Sequence, residues 1–200
     1  MLIILLVVLL YGLVHSFLAS LWTKDRARDW IGPSADRWYR LFYNVVATLT
    51  LLPVLALPAM LPDRQLYAVP PPWVYLTLAG QLLALVALGI GVLQTGTLHF
   101  LGLAQLFENP EKEPRAMVTG GLYRWVRHPL YTAGLVFIWL VPVMTANLLA
   151  LNVGLTVYLV VGALYEERKL VKEFGEEYLR YRQRTPMLIP GVRPILDYSK

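Results

Sequence analysis

Five long runs of apolar residues decide which classes of fold are open to this chain of 200 residues. Each run reaches or approaches the length of about 18 residues that predicts a membrane-spanning helix. A hydrophobic content of 57% against 16% charged residues agrees with a membrane protein. We therefore predict an all-α integral membrane protein with a bundle of about five transmembrane helices. The predicted helices cover about 1–22, 41–61, 73–93, 129–144 and 147–164.

The residues after the fifth run place apolar side chains at helical spacing between charged ones. This pattern predicts a cytoplasmic amphipathic helix over about 165–183, lying against the inner face of the membrane. The polar stretch from Asn109 to Arg115 contains two prolines and predicts an exposed loop. Because no internal repeat is visible, residues 1–200 are predicted to form one domain. The apolar positions of the amphipathic helix are Leu170, Val171, Phe174, Tyr178 and Tyr181.

Basic residues predict the orientation of the chain in the membrane. Five of them follow the first helix, whereas only Arg64 lies between the second and third helices. Because lysine and arginine accumulate in cytoplasmic loops, we expect the N-terminus outside and the C-terminus in the cytoplasm, in the inner membrane of a prokaryote. The net charge of +5 then indicates contact with membrane lipids and not with nucleic acid. The five basic residues are Lys24, Arg26, Arg28, Arg37 and Arg40.

Residue types that are absent or scattered exclude several chemistries. The chain has no cysteine, which excludes disulfides, thiolate metal sites and covalent catalysis through a protein thiol. Its three histidines lack the close spacing of metal ligands, so no metal site is predicted. No serine lies in a nucleophile elbow, and the glycines form no phosphate-binding or dinucleotide-binding motif.

The densest group of polar residues lies at the start of the fourth helix. Pro129 fits the first helical position because its missing N–H costs nothing there, which makes His128 the N-cap residue. The amides and the dipole of a helix start attract an anionic group such as a carboxylate. Arg124 and Arg127 add positive charge to this position.

A second polar group, Glu166 and Glu167, lies at the cytoplasmic end of the fifth helix. Because helices four and five are predicted to form a hairpin, the two groups end at the same membrane depth. Carboxylates beside a bilayer cost free energy unless they are paired or solvated. One interpretation is a site for a ligand of mixed charge, with Tyr123 and Tyr131 packing on a flat ring. The other is an interfacial anchor with the tyrosines in an aromatic belt, and spacing alone leaves both open.

Four polar residues interrupt the apolar runs. His15 and Ser16 lie in the first run, and Gln81 and Gln94 lie in the third. Polar side chains at such positions usually face the interior of a bundle. We expect interhelical hydrogen bonds, with contact to a substrate as the alternative.

The order of these motifs resembles the integral-membrane methyltransferases grouped with isoprenylcysteine carboxyl methyltransferase and phospholipid N-methyltransferase. The resemblance rests on Arg127 to Tyr131, on Glu166-Glu167, and on Phe174 to Tyr178 followed by Pro186. The N-terminal half resembles the branch that contains methanethiol S-methyltransferases and NnrU-like proteins. The stretches that carry this second resemblance are His15-Ser16, Tyr39-Arg40-Leu41, Tyr43-Asn44 and Phe100-Leu101-Gly102 with Gln105.

The resemblance implies S-adenosylmethionine as methyl donor, bound in a pocket that faces the cytoplasm. The donor's carboxylate suits the helix start, and its ammonium and sulfonium suit the glutamates. For a thiol acceptor, Arg124 and Arg127 are the candidate catalytic residues, because a nearby cation favours the thiolate. The candidate cofactor-binding residues are Val118, Gly121, Tyr123, His128, Pro129, Tyr131, Glu166 and Glu167.

The sequence leaves the methyl acceptor open. A small thiol, a prenylcysteine carboxylate and a lipid amine would all reach a site at the membrane interface, and the branch resemblance favours a small thiol. Two other functions are kept as alternatives. One is a non-catalytic accessory protein of the NnrU-like type, and the other is a nicotinamide-dependent membrane reductase, for which 200 residues leave little room.

Overall fold

The computed structural model describes residues 1–32, 34–101, 103 and 117–192. The predicted loop from Asn109 to Arg115, and Gly102 and Gln105, lie outside the described residues. The helices are α1 Leu2–Leu18, α2 Leu21–Ile31, α3 Ser34–Met60, α4 Trp73–Gln94, α5 Thr97–Leu101, α6 Pro129–Trp139, α7 Ala146–Phe174 and α8 Glu176–Arg184. The remaining elements are strands β1 Gln65–Ala68 and β2 Val143–Thr145, and a 3₁₀ turn at Gly121–Arg124, called here the glycine turn.

Long apolar helices confirm that the chain is an integral membrane protein. Within the described residues, three helices are long and apolar enough to cross a membrane, namely α4, α7 and the part of α3 from Arg37 to Met60. A fourth span results if α1 and α2, whose axes differ by 54°, are taken together. Among the described residues the structure thus supplies three or four spans where about five were predicted, because α6 has only 11 residues and α1 by itself has 17.

The first two predicted helices have different bounds in the structure. The helix predicted over 1–22 ends at Leu18, since Ser20 caps a new helix by accepting a hydrogen bond from the Thr23 amide at 3.2 Å. The helix predicted over 41–61 begins earlier, at Ser34. It continues through Pro53 and Pro58 to Met60, close to its predicted end.

The end of the fourth predicted helix is wrong. Residues up to 144 were expected to be helical, but α6 ends at Trp139 and the chain passes through Pro142 into β2. Proline disrupts a continuing helix because it lacks an N–H and clashes with the preceding turn. Strand β2 instead pairs antiparallel with β1, which lies in the connector after α3. This strand pair provides hydrogen-bond partners for backbone groups of both segments.

The predicted boundary between a fifth transmembrane helix and a separate amphipathic helix is also wrong. Helix α7 runs without interruption from Ala146 to Phe174. The break comes at Gly175, whose φ of 55° is a left-handed conformation that glycine adopts readily. In α8, Tyr178 is buried and does not form the exposed apolar face that an amphipathic membrane helix requires.

The described residues form two compact units. The first contains the described residues of Met1–Ala68, Gly96–Arg115 and Val143–Tyr158. Its core joins α1, α3 and α7 through Ile4, Val8, Val54, Ala150 and Leu151. Whether the whole chain is one domain, as the sequence predicts, stays a prediction.

A cluster of rings in the first unit confirms the interhelical role expected for His15. The His15 ring forms hydrogen bonds with the hydroxyls of Tyr43 on α3 and Tyr158 on α7. Tyr11, one turn earlier on α1, stacks on the same ring with centroids 5.5 Å apart. Such hydrogen bonds between helices stabilise bundles in lipid.

The second unit contains the described residues of Val69–Thr95, Ala116–Pro142 and Leu159–Lys200. Helices α4 and α6 pack closely here because α4 carries glycines at the contact. A Cβ added at Gly80 would overlap the Leu140 side chain, and one added at Gly91 would lie 2.8 Å from Leu130. Gln81 donates to the Phe137 carbonyl at 3.0 Å, which confirms its predicted interhelical hydrogen bond. All the candidate site residues fall in this second unit.

Candidate functional site

The glycine turn is held in place by the end of α4. The Leu122 amide donates to the side-chain oxygen of Gln94 at 3.1 Å, which confirms a hydrogen bond from this polar residue to another element. Gly121 has a φ of 58°, and a Cβ added there would overlap the Gln94 side-chain amide. Backbone conformation and space therefore both require glycine at this position.

Replacing Gly121 with alanine should lower the free energy of unfolding by about 1–2 kcal/mol from its left-handed backbone alone, with a further loss if Gln94 is displaced. Chemical unfolding in detergent measures this loss. Gly120→Ala is the matched control, because Gly120 has a φ of −89° and a Cβ added there would meet no atom within 4 Å. Equal stability of the two variants would contradict the prediction.

Helix α6 begins at the predicted residue, but the hydrogen bonds at its start were not predicted. Pro129 is the first helical residue and His128 is the N-cap residue, although the His128 side chain makes no capping hydrogen bond. The amides of Arg127 and His128 donate to the carbonyls of Pro186 and Met187, at 2.9 and 3.1 Å. The amide of the N-cap residue and the amide before it are therefore used by the chain itself, and binding of an anion at the helix start stays a prediction.

The Arg127 side chain is buried and lies at the centre of the site. Its Nε donates to Oε1 of Glu167 at 2.7 Å, and its Nη2 donates to Oε2 at 3.0 Å. Its Nη1 donates to the carbonyls of Arg182 and Thr185. This two-pronged pair fixes both side chains, because the planar guanidinium matches the carboxylate geometry.

Glu167 accepts two further hydrogen bonds at Oε1. One comes from Nε2 of His128 at 3.0 Å, and the other comes from the buried Tyr178 hydroxyl at 2.7 Å. Burial raises the pKa of Tyr178, and the hydrogen bond to the Glu167 carboxylate raises it further, so the hydroxyl stays a donor. Four donors thus surround the Glu167 carboxylate, which is 9% exposed.

Glu166 differs from its neighbour in being open to solvent. Its side chain is 46% exposed and accepts a hydrogen bond from the Tyr131 hydroxyl at 2.8 Å. Its Oε2 also lies 3.6 Å from Nδ1 of His128. The rings of His128 and Tyr131 stack, with centroids 5.4 Å apart and planes 7° from parallel. A carboxylate that can accept further hydrogen bonds from solvent or a ligand therefore lies beside two parallel rings.

The two carboxylates shift the protonation of His128. Burial alone would lower its pKa, but the hydrogen bonds to Glu166 and Glu167 outweigh burial and raise the pKa above the ordinary value of 6.5. Stabilisation from the protonated ring is therefore fully present below about pH 6.5 and is lost as the pH rises through the raised pKa.

The melting temperature of the protein in detergent should accordingly fall as the pH rises from about 6.5 through the raised pKa of His128. His128→Gln, which cannot take a proton, should remove this part of the pH dependence. The measurement is the difference in melting temperature between parent and variant across that range. A difference that stays constant with pH would show that His128 does not titrate as described.

The other predicted residues lie on the glycine turn and before it. Arg124 and Val118 are exposed. Tyr123 is half-buried, and burial together with the Glu166 charge raises its pKa to about 12. The structure thus brings Arg127, His128, Tyr131, Glu166 and Glu167 into direct contact. For all the predicted site residues, a role at a ligand stays a prediction.

Two parts of the site were missed by sequence reasoning. Tyr178 was placed on a membrane-facing helix, although it donates to Glu167. The segment Thr185–Leu188 lies against the start of α6, where the Leu188 carbonyl also accepts from the Thr132 hydroxyl at 2.7 Å. Tyr181 joins α8 to the glycine turn by donating to the Tyr123 carbonyl at 2.6 Å. The order of the tyrosines and Pro186 in the motif was a signal, but it did not indicate these partners.

Known proteins resemble part of the chain. A methanethiol S-methyltransferase of Bradyrhizobium diazoefficiens is 45% identical over 85 residues, which are 42% of this chain and 30% of that protein. A methanethiol S-methyltransferase of Crocosphaera subtropica is 37% identical over 130 residues, which are 60% of this chain and 51% of that protein. The human protein-S-isoprenylcysteine O-methyltransferase is 33% identical over 93 residues, or 44% of this chain and 32% of the human protein.

The aligned part of the chain spans about half of these relatives or less. No solved structure matches the chain. The phospholipid methyltransferase family matches residues 77–177, which include the glycine turn, α6 and most of α4. The matched range also contains the five residues in direct contact, Arg127, His128, Tyr131, Glu166 and Glu167. Since this match covers half of the chain and contains these five contacting residues, the chain belongs to the phospholipid methyltransferase family.

Proposed function

We propose that the protein is a membrane methyltransferase that uses S-adenosylmethionine and methylates a small thiol. One observation carries the proposal. Glu166 is a half-exposed carboxylate beside the stacked rings of His128 and Tyr131, within the region that matches the family. Relatives named as methanethiol S-methyltransferases support the thiol as acceptor.

The residues around Glu166 fit the chemical groups of the donor. S-adenosylmethionine carries an ammonium and a sulfonium, and Glu166 has acceptor capacity left for a positive group. The parallel rings of His128 and Tyr131 suit packing against a flat base.

We assign different roles to the two neighbouring glutamates. Both Glu167 oxygens are occupied by hydrogen bonds from the protein, so Glu167 positions His128 and Arg127. Glu166 is then the carboxylate that contacts the donor. The Arg127 guanidinium is also occupied by hydrogen bonds within the protein. Of the two arginines predicted to be catalytic, Arg124 is therefore the one that we propose favours a thiolate acceptor.

Methyl transfer from a sulfonium requires the protein mainly to align the two reacting groups. The donor supplies an electrophilic methyl group on its sulfonium. The protein must hold the acceptor in line with that methyl group and keep water away. The acceptor thiol gives its proton to solvent before the transfer, and a nearby cation favours this step because it lowers the pKa of the thiol.

Binding of S-adenosylmethionine and S-adenosylhomocysteine to the detergent-purified protein, measured by calorimetry, tests the proposed cofactor. Micromolar binding of both would support it, and formation of a methyl thioether from a small thiol would support the acceptor. A folded protein that binds neither compound would overturn the proposal. That outcome would favour the accessory-protein or reductase alternatives.

The proposed orientation, with an external N-terminus and a cytoplasmic C-terminus, has a separate test. A reporter that is active only in the cytoplasm should be active when fused to the C-terminus. Activity of a periplasmic reporter at the same position would overturn the orientation without affecting the cofactor proposal.

A further inference from the structure

The His128 ring has a carboxylate at each of its two nitrogens. Its Nε2 lies 3.0 Å from Oε1 of Glu167, and its Nδ1 lies 3.6 Å from Oε2 of Glu166. The first distance is that of a hydrogen bond, and the second is that of an ion pair. A ring with a proton on each nitrogen suits both contacts, whereas a neutral ring has a proton to offer to only one. The geometry therefore favours the doubly protonated, positive ring.

The other groups near the ring do not change their charge near neutral pH as histidine does. Arginine and lysine are cations there. Burial raises the pKa of Tyr123, Tyr178 and Tyr181, so these hydroxyls keep their protons. Of this set, histidine is the side chain that titrates near neutral pH. The groups that face the ring or its two carboxylates are Arg127 beside the ring, Tyr131 of α6, Glu166, Glu167 and Lys169 of α7, Tyr123 of the glycine turn, and Tyr178 and Tyr181 of α8.

Glu166 is the carboxylate at which a ligand can change this balance. Its side chain is 46% exposed, whereas that of Glu167 is 9% exposed and accepts hydrogen bonds from Arg127, His128 and Tyr178. A positive group that binds Glu166 would share its carboxylate with the ring. Two carboxylates would then face three cations, namely Arg127, the ring and the ligand. Because like charges in one site repel each other, the cation that can lose its charge should do so.

We propose that the positive group of the donor and the Nδ1 proton of His128 compete for Glu166, so that donor binding releases a proton. This inference rests on the proposed function, because it requires a positive ligand at Glu166. The N–H bond at Nδ1 breaks, and the proton passes to solvent on the exposed side of Glu166. The proton on Nε2 stays, and Oε1 of Glu167 accepts its hydrogen bond.

The coupling makes donor binding depend on pH. Burial lowers the pKa of His128, but the hydrogen bonds to both carboxylates raise it above the ordinary value in the free protein. A bound positive group should lower it again. Between the pKa of the free protein and that of the complex, the affinity should rise with pH by at most about tenfold per pH unit. The site thus loads the donor less well in acid.

Nuclear magnetic resonance of the detergent-solubilised protein with labelled histidine measures the titration of this ring. The chain has three histidines, and the signal of His128 is the one that disappears in His128→Gln. We expect saturating S-adenosylmethionine to lower the pKa of His128 by about one pH unit, the usual effect of a nearby charge. Calorimetry under the same conditions shows whether the donor binds.

Glu166→Gln tests the coupling in the protein without a ligand. It should lower the pKa of His128 before any donor is added, and the donor should then lower it little further. The matched control is Glu173→Gln, which removes an exposed carboxylate from the same helix and should leave the titration of His128 close to that of the parent.

The outcomes separate this inference from the proposed function. Donor binding that lowers the pKa of His128 in the parent but not in Glu166→Gln would support the coupling. Donor binding with an unchanged titration of His128 would overturn the coupling and leave the methyltransferase proposal in place, as would an unchanged titration in unliganded Glu166→Gln. A folded protein that does not bind the donor would overturn both.

Discussion

Glu167→Gln should lower the free energy of unfolding by about 3–5 kcal/mol, because it leaves the buried Arg127 guanidinium without its counter-charge. Glutamine has nearly the same shape as glutamate, so packing is preserved. Its amide nitrogen would face a second N–H donor of Arg127 at the position where Oε2 now accepts at 3.0 Å. Chemical unfolding in detergent, followed by circular dichroism, measures the loss.

Glu166→Gln is the matched control for this stability effect. It makes the same chemical change one residue earlier, at a side chain that is 46% exposed, lies 3.6 Å from His128 and takes no part in the two-pronged pair with Arg127. We expect it to unfold close to the parent. If Glu167→Gln were as stable as Glu166→Gln, the four-donor network would not contribute to the fold as described.

Glu166→Gln should instead weaken S-adenosylmethionine binding by about ten- to a hundredfold, the usual effect of losing one charge-assisted hydrogen bond. The physical reason is that Glu166, unlike Glu167, has an open side toward solvent. Calorimetry on the folded variant measures the loss. Glu173→Gln removes an exposed carboxylate from the same helix and should bind as the parent does.

Comparing two ligands sharpens this second prediction. S-adenosylhomocysteine keeps the ammonium but lacks the sulfonium charge. If Glu166 contacts the ammonium, both ligands should lose affinity equally, and if it contacts the sulfonium, only the donor should lose affinity. Unchanged binding of both ligands would remove Glu166 from the cofactor site and return Glu167 to consideration as the direct contact.

Sequence rules predicted correctly those features that depend on length, hydrophobicity or a single residue. Helix α4 was predicted over 73–93 and lies at Trp73–Gln94, because length and hydrophobicity alone decide whether a segment is stable in lipid. The N-cap position of His128 was also predicted, since Pro129 restricts the chain at its own residue. One error arose where a contact with a distant segment decided the outcome, in the pairing of β2 with β1. Other boundaries were set by single residues whose effect was not foreseen, such as Ser20 and Gly175.

The sequence motifs contain residues that the structure brings into contact, but the sequence did not predict which residue binds which. Arg127 and Glu167 were assigned to a ligand, whereas in the structure they bind each other across 40 residues of sequence. The carbonyls that receive the amides of Arg127 and His128 come from a segment beyond α8. Periodicity carries no information on contacts between such distant segments.

The sequence by itself determined the membrane environment, the long apolar helices and the residue types available for chemistry. Each of these follows from composition within a window of about 20 residues, which is the scale of a membrane span. Only the tertiary structure decided which glutamate is enclosed and which is open. The two are adjacent in sequence, but successive side chains of a helix point about 100° apart, so one faces Arg127 and Tyr178 while the other faces solvent.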